Sequence, residues 1–252
     1  MLGGSTKMRC TSFSLRENAR IPLTVPRVVL LVLLACPGVN VWALDPSFLP
    51  AVNLTTGSLP ESIAVGDFNA DGVLDLVVAN SDANNISVFF GNPDGTFQNP
   101  VHYDVGTYPW FVTVADLNVD GALDILVSNR DSSDLTVIWG LGDGTFLVGD
   151  TIPVGGMPFS VAVGNFHAGD SPDLVVTNFE STLLFLSNGD GTWSPSGALA
   201  GGPNPQYVAT GDFNGDGFPD LAVTDSHGTD TVVILAGHGD GTFDKVDSHA
   251  IG

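Results

Sequence analysis

The sequence predicts an all-β protein, a β-propeller made of four-stranded antiparallel blades. Three observations support this prediction. An acidic, glycine-containing loop occurs four times at intervals of 47 to 49 residues, and a turn of the form Asp-Gly-Thr-aromatic recurs at intervals of 47 to 50 residues. The composition is rich in Gly, Val and Phe and poor in Lys, which favours strands over helices. A period of about fifty residues is typical of an architecture in which each repeat is one blade.

The repeat has two markers. The acidic loops are "GDFNADGVLD" (66–75), "ADLNVDGALD" (115–124), "GNFHAGDSPD" (164–173) and "GDFNGDGFPD" (211–220). The turn markers are Asp94–Phe97, Asp143–Phe146, Asp190–Trp193 and Asp240–Phe243. In the first repeat, four apolar runs alternate with turn sequences and predict strands at Ser62–Gly66, Leu74–Asn80, Ile86–Phe90 and Phe97–Asp104.

A single blade cannot bury both of its faces, so successive blades must stack with Val, Ile, Leu and Phe between them. The ends of the array are less regular. Residues 47–57 and 242–252 both resemble the segment that follows each turn marker, so the outermost strand occurs five times against four loops. Either copy could complete the last blade. The repeats could therefore form a closed ring of four blades with one strand left over, or part of a longer array.

The acidic loops predict calcium sites. Oxygen-bearing side chains at positions 1, 3, 5 and 9, with Gly at position 6 for a left-handed turn, bring hard oxygen ligands around one point, and Ca²⁺ takes six to eight of these. We expect three sites. The predicted ligands, with the position 7 residue contributing its carbonyl, are Asp67, Asn69, Asp71, Val73 and Asp75; Asp116, Asn118, Asp120, Ala122 and Asp124; and Asp212, Asn214, Asp216, Phe218 and Asp220.

Other interpretations of these loops are weaker. An EF-hand needs a bidentate Glu at position 12, where this chain has Val78, Val127 or Val223 within a predicted strand. Asp, Asn and Gly can also form simple hairpin turns, but three intact copies favour metal binding. The third loop, Asn165 to Asp173, has His167 at position 3 and has lost most of its charge, so it predicts weak or absent calcium binding. We expect His167 to be an exposed loop residue.

The N-terminal region predicts export. Five basic residues precede an apolar run, Val28–Ala35, and a small-residue cleavage site ends at Ala43, so residues 1–43 are predicted to be a signal peptide and 44–252 the repeat domain. The apolar run is too short to be a transmembrane helix. An alternative is that Leu33–Cys36 forms a lipoprotein box, with Cys36 lipidated. Cleavage at Ala43 would leave a secreted or periplasmic domain without cysteine.

Charge and residue content restrict the function. Removing residues 1–43 takes away five bases and one acid and leaves a net charge of about -25. Such a surface disfavours nucleic acids and anionic membranes and favours cations. Calcium accounts for most of the clustered aspartates, and we see no recognisable nucleophile motif, so we expect the protein not to be an enzyme.

The Asp-x-Asn-x-Asp-Gly-x-x-Asp loops at 67, 116 and 212, together with "FFGNPDGTF" (89–97) and "WGLGDGTF" (139–146), resemble the FG-GAP or VCBS-type repeats of the integrin α-chain propeller and of many exported bacterial proteins. The resemblance covers about residues 45 to 252. It implies a calcium-stabilised propeller that works outside the cytoplasm in adhesion, ligand binding or scaffolding.

Three functions remain open at this stage. The first is a non-enzymatic module that binds an extracellular protein or glycan, and such a module could also associate through an open blade edge. The second is a lectin, in which Trp110, Trp139 and Trp193 could stack on sugars. The third is an accessory domain of an extracellular enzyme.

Overall fold

The computed structural model describes residues 52–226 and 230–250. The predicted leader and Cys36 lie outside the described residues. The all-β prediction is confirmed: the described residues form sixteen strands in four separate antiparallel sheets of four strands each, and they contain no helix. Each sheet corresponds to one repeat of the sequence and is called a blade below. In the described part of the chain there is consequently no helix that could cross a membrane.

Within each blade, the strands pair with their neighbours in sequence order. Blade 1 contains β1 Pro60–Gly66, β2 Asp75–Asn80, β3 Asn85–Phe89 and β4 Val101–Asp104. Blade 2 contains β5 Pro109–Ala115, β6 Asp124–Asn129, β7 Asp134–Gly140 and β8 Phe146–Pro153. Blade 3 contains β9 Pro158–Gly164, β10 Asp173–Asn178, β11 Thr182–Ser187 and β12 Trp193–Leu199. Blade 4 contains β13 Pro205–Gly211, β14 Asp220–Asp225, β15 Thr231–Gly237 and β16 Phe243–Ala250.

The predicted strands of the first repeat are right in number and order, but several of their boundaries move; those of β2 and β3 move by at most one residue. β1 begins two residues earlier than predicted, at Pro60, and its pairing with β2 is irregular between Pro60 and Ser62. β4 begins at Val101, because Phe97 forms only an isolated bridge with Gly91 and closes the turn. The first four residues of the predicted fourth strand, 97–100, therefore precede β4.

The core lies between successive blades. The first strands of neighbouring blades are in contact, β1 with β5, β5 with β9 and β9 with β13. We call the face of a blade that packs on the next blade its forward face, and the opposite face its backward face. Between blades 1 and 2, Val77 and Val88 of the forward face pack against Val112, Ile125 and Ile138 of the backward face.

The same packing occurs twice more. Leu126 and Val137 of blade 2 belong to one cluster with Leu174 and Phe185 of blade 3. The third cluster combines the forward face of blade 3 with the backward face of blade 4; its members include Val175, Leu184, Leu221, Val223 and Val233. Because side chains alternate along each strand, the two faces of a blade contribute to two different clusters.

The C-terminal copy of the outermost strand completes blade 4, since β16 pairs with β15. The N-terminal copy lies partly outside the described residues, and its described part, 52–57, forms no strand. Of the two terminal segments that could complete the last blade, the C-terminal one does so.

Candidate metal centres

Each acidic loop joins the first two strands of its blade, so the four loops occupy equivalent places in the fold. Position 6 of the three intact loops is Gly with a positive φ, as predicted: 80° at Gly72, 90° at Gly121 and 91° at Gly217. Position 4 is also left-handed, with φ 55° at Ala70 and 60° at Val119. These two residues adopt a conformation that carries a steric cost for side chains with a Cβ.

The side chains at positions 1, 3 and 5 accept hydrogen bonds from the loop backbone. In the first loop, Asp67 accepts from the amides of Asp71 at 3.1 Å and Gly72 at 2.9 Å. Asn69 Oδ1 also accepts from the Asp71 amide, and its Nδ2 donates to Asp71 Oδ2 at 2.9 Å. Asp71 Oδ1 accepts from Val73 N at 2.7 Å. The second and fourth loops repeat these bonds, so the backbone winds around a set of side-chain oxygens.

Position 9 is different because its carboxylate is buried. Asp75 and Asp124 are fully buried. Asp75 Oδ2 accepts from Phe68 N at 2.9 Å, and Oδ1 accepts from Gly91 N at 2.8 Å. The equivalent bonds of Asp124, Asp173 and Asp220 are also present. Each of these residues therefore ties the loop to the backbone at or just after the end of the third strand of the same blade.

Within residues 52–226 and 230–250, no Arg or Lys pairs with an aspartate of the three intact loops. Burial raises the pKa of the Asp75 carboxyl, and the charges of Asp71 and Asp67 raise it further. Asp124 has a raised pKa for the same reasons, with Asp120 and Asp116 as the neighbouring charges. A bound cation would offset this repulsion.

The donor chemistry of the loops is that of a calcium site, since every side chain predicted as a ligand offers oxygen. The loop side chains do not all converge on one point. Among the residues that the structure describes, no three or more His, Cys, Asp or Glu side chains converge as a metal cluster. The side chains at positions 1, 3 and 5 share one turn, and the carboxylate at position 9 is directed to backbone amides behind it. Val73, Ala122 and Phe218 lie in the same turns, ahead of the second strand.

The third loop has an internal partner in place of the missing acids. His167 Nδ1 lies 2.8 Å from Asp173 Oδ2 and 2.7 Å from Oδ1. The prediction that His167 would be an exposed loop residue is wrong, because its side chain is only 24% exposed and it pairs with a buried carboxylate. The structure brings these two residues together, whereas Asn165, Gly169 and Asp170 remain outside the pair.

The predicted tryptophans fall into two places. Trp139 and Trp193 stack with centroids 6.3 Å apart and planes at 9°, beside a cavity of about 510 Å³ between blades 2 and 3. Trp193 is buried and donates to Pro172 O at 3.0 Å, so it is mainly a core residue. Trp110 lies elsewhere, stacked on Tyr108 with Arg130 5.7 Å from its ring.

Two structural roles were not predicted. The first is the buried hydrogen bonding of the position 9 aspartates. The second is a buried polar residue at the end of the second strand in each repeat: Asn80, Asn129, Asn178 and Asp225. Asn129, for example, donates to Asp134 at 2.7 Å and to Thr136 at 2.8 Å, which joins the second and third strands. The repeated Asn/Asp at this point of "DLVVAN" and its copies is the signal that could have revealed it.

A family model described as FG-GAP-like repeat matches residues 67–127 and 169–223, each match beginning within an acidic loop and ending in the second strand of the next blade. These two segments are similar to FG-GAP-like repeats. The predicted resemblance to FG-GAP repeats is thus confirmed. No curated protein matches the sequence.

Solved structures similar to this chain share its fold at low identity. A protein from Lactobacillus plantarum superposes with a TM-score of 0.59 at 14% identity, over 79% of this chain and 57% of that chain. A lectin from Agrocybe aegerita, solved for its recognition of non-reducing terminal N-acetylglucosamine, gives 0.53 at 20%, over 78% and 53%. A candidate 6-phosphogluconolactonase from Bacteroides fragilis gives 0.55 at 20%, over 76% and 56%. This chain thus spans a little more than half the length of these proteins.

Proposed function

We propose that this protein is an exported, non-enzymatic binding module whose FG-GAP-like loops bind Ca²⁺. The observation that carries the proposal is the threefold repetition of one turn in equivalent places, each turn with two aspartates and one asparagine around a left-handed Gly. Oxygen donors alone, with irregular geometry, suit calcium better than a transition metal.

Calcium would act as the internal staple of the fold. Residues 44–252 contain no cysteine, so no disulfide can stabilise an exported domain of that extent. A ligand that binds only the native state stabilises it by RT ln(1 + [L]/Kd), about 2.7 kcal/mol per site at a hundred times Kd. The three intact loops would hold the ion through the side chains at positions 1, 3 and 5 and the position 7 carbonyl. The position 9 carboxylate would join them while keeping its bonds to two backbone amides.

The test is a thermal melt of the purified chain in millimolar calcium and in excess EDTA. We expect calcium to raise the midpoint by several degrees or more. Asp216→Asn should reduce the calcium-dependent rise by about one third, because one of three sites is weakened. Asp170→Asn is the matched control in the third loop and should leave the rise unchanged. A midpoint that does not respond to calcium would refute metal binding, and an equal effect of the two variants would refute the assignment to these loops.

A carbohydrate is the second candidate ligand, and the cavity beside Trp139 favours it. Trp139 is half-buried, and Asn118, Asp150, Asp190 and Thr192 also line the cavity, so an aromatic surface lies next to hydrogen-bonding groups. Aromatic surface combined with a few polar groups is typical of sites for small ligands. The lectin of the same fold is consistent with this choice but establishes the fold alone.

A glycan array with the purified chain tests this second candidate. Any glycan bound by the wild type should be lost in Trp139→Leu and retained in Trp110→Leu, because Trp110 does not line the cavity. Retention of binding in Trp139→Leu would place the glycan elsewhere. The route of export is tested separately by mass spectrometry of the mature N-terminus, which distinguishes cleavage after Ala43 from a lipidated Cys36.

A further inference from the structure

The backward face of blade 1 exposes side chains that the other blades bury. The fourth residue of the first strand is 2% exposed in blade 2, 4% in blade 3 and 9% in blade 4; these residues are Val112, Val161 and Val208. The equivalent Ile63 of blade 1 is 59% exposed. Val65, two residues further on the same face, is 49% exposed. Ile63 therefore occupies a position that the other three blades bury, whereas the equivalents of Val65 are half-buried in blades 2 and 3.

The forward face of blade 4 shows the complementary feature. Position 2 of the acidic loop, the residue that follows position 1, is almost fully buried in blades 1 to 3, where it is Phe68, Leu117 and Phe166. The equivalent Phe213 is 53% exposed, and Tyr207 on the same face of blade 4 is 51% exposed. Val232 and Ile234 of β15, which also face forward, are only half-buried.

Two interior interfaces show what the buried equivalents of Phe213 contact. Phe68 packs edge-on against Phe146 of the next blade with centroids 5.5 Å apart, and Phe166 packs against Phe243 at 5.7 Å. The turn ahead of each partner also donates a backbone hydrogen bond, from Gly144 N to Phe68 O at 3.1 Å. Gly241 N donates to Phe166 O at 2.8 Å in the same way.

Blade 1 contains the matching half of such an interface. Phe97 corresponds to Phe146 and Phe243 and is half-buried. Gly95 corresponds to Gly144 and Gly241, and the space beside its Cα is open to 4 Å, whereas Gly144 faces Phe90 and Asn69 of the preceding blade. The turn that would donate this hydrogen bond is therefore present in blade 1. The space beside Gly95 is open, whereas the equivalent space beside Gly144 is filled by the preceding blade.

We propose that the forward face of blade 4 of one copy packs on the backward face of blade 1 of a second copy, repeating the interface between successive blades. Phe213 would pack against Phe97 of the second copy, and Gly95 of that copy would donate to Phe213 O. The occupant follows from continuity with the interior interfaces, since stacked repeats of one type present mutually complementary faces. The contact is heterologous, and two such contacts would close a ring of two copies.

The first test is the molar mass of the purified chain by analytical ultracentrifugation over a range of concentrations, with calcium and physiological salt present to screen the acidic surface. We expect concentration-dependent pairing. Phe213→Asp and Ile63→Asp should each weaken pairing by at least tenfold. Phe179→Asp is the matched control, because Phe179 is 52% exposed in the turn after β10, away from both faces. A thermal melt of each variant checks that the fold is retained.

Mixing the two variants tests the direction of the contact. Phe213→Asp retains an intact blade 1, and Ile63→Asp retains an intact blade 4, so the mixture should form a one-to-one pair through a single contact although neither variant forms a ring. A wild-type chain that stays monomeric at all concentrations would overturn the proposal. Pairing that survives both substitutions, or a mixture that does not pair, would also overturn it. None of these outcomes depends on the glycan or on which loops bind calcium.

Discussion

His167 Nδ1 lies 2.8 Å from Oδ2 of Asp173, at the place in the third repeat where the other loops have an asparagine. Asp173 is buried and also accepts hydrogen bonds from the amides of Phe166, His167 and Ser187. The third loop thus provides a partner for its buried carboxylate from its own chain. At position 3, where the other loops have a predicted calcium ligand, the third loop has His167. The same loop has lost acids that the other loops keep.

The first prediction is that His167→Ala lowers the free energy of unfolding by about 1–2 kcal/mol, because a hydrogen bond to a buried charged group is lost. The change should be the same in calcium and in EDTA, as the third loop is not expected to bind the ion. Chemical denaturation of the wild type and the variant, in calcium and in EDTA, measures the change. His238→Ala is the control: its pair with Asp244, at 3.2 Å, is exposed, so we expect a change within about 0.5 kcal/mol. Equal effects would show that the burial of the pair contributes nothing.

Much of the fold can be predicted from the sequence because the sequence repeats. The period of about fifty residues, the four apolar runs and the turn markers predict four four-stranded blades, and the loops fall between the first two strands as expected. Strand ends were less accurate, since Phe97 is apolar like a strand residue yet closes a turn.

The candidate sites were only partly predictable, because ligand spacing does not say which side chain is buried. Asp75 and Asp71 are both aspartates of one predicted calcium loop, but Asp75 is buried on backbone amides and Asp71 is exposed in the turn. The pairing of His167 depends on the depth of Asp173, and the exposure of Phe213 depends on having no blade packed on it. These differences arise from tertiary packing, which a periodic sequence does not encode locally.

The second prediction concerns the buried aspartates. Asp124→Asn replaces one acceptor oxygen with an NH₂ group that faces the amide of Leu117 or Gly140. We expect a loss of about 1–3 kcal/mol, the cost of leaving a buried donor without an acceptor. The measurement is urea unfolding in EDTA, so that no metal contributes. Asp120→Asn, at an exposed position of the same loop, should change the stability by less than about 0.5 kcal/mol under these conditions. A similar loss in both variants would contradict the structural role of Asp124.

The third prediction is a dependence on acid pH that comes from the Asp-Gly-Thr turns. The Thr hydroxyl and amide two residues later lower the pKa of Asp94, Asp143, Asp190 and Asp240. A lowered pKa means that folding favours the charged carboxylate, so the stabilisation is complete above the ordinary value of 3.8 and is lost as the pH falls through the lowered pKa. An NMR titration should show the pKa of Asp143 rising towards its ordinary value in Thr145→Val. Thr145→Ser retains the hydroxyl and should keep the pKa low; an unchanged pKa in Thr145→Val would contradict the assignment.

The fourth prediction concerns the residue that ends the third strand. Gly140 donates to the buried Asp124 at 2.8 Å, and a Cβ at this position would collide with the carbonyl oxygen of Leu123. Gly140→Ala should therefore destabilise the fold by about 1–3 kcal/mol, since the backbone must move to accept the methyl group. Blade 3 provides the matched control because it has Ser187 at this place, and the Ser187 amide still donates to Asp173 at 2.8 Å. Ser187→Ala keeps the Cβ that blade 3 already accommodates and removes one exposed bond, from Gly189 N to Ser187 Oγ, so we expect a change within about 0.5 kcal/mol. Urea unfolding of the two variants is the test. If Gly140→Ala destabilises the fold as little as Ser187→Ala does, the close approach to Leu123 does not restrict this position.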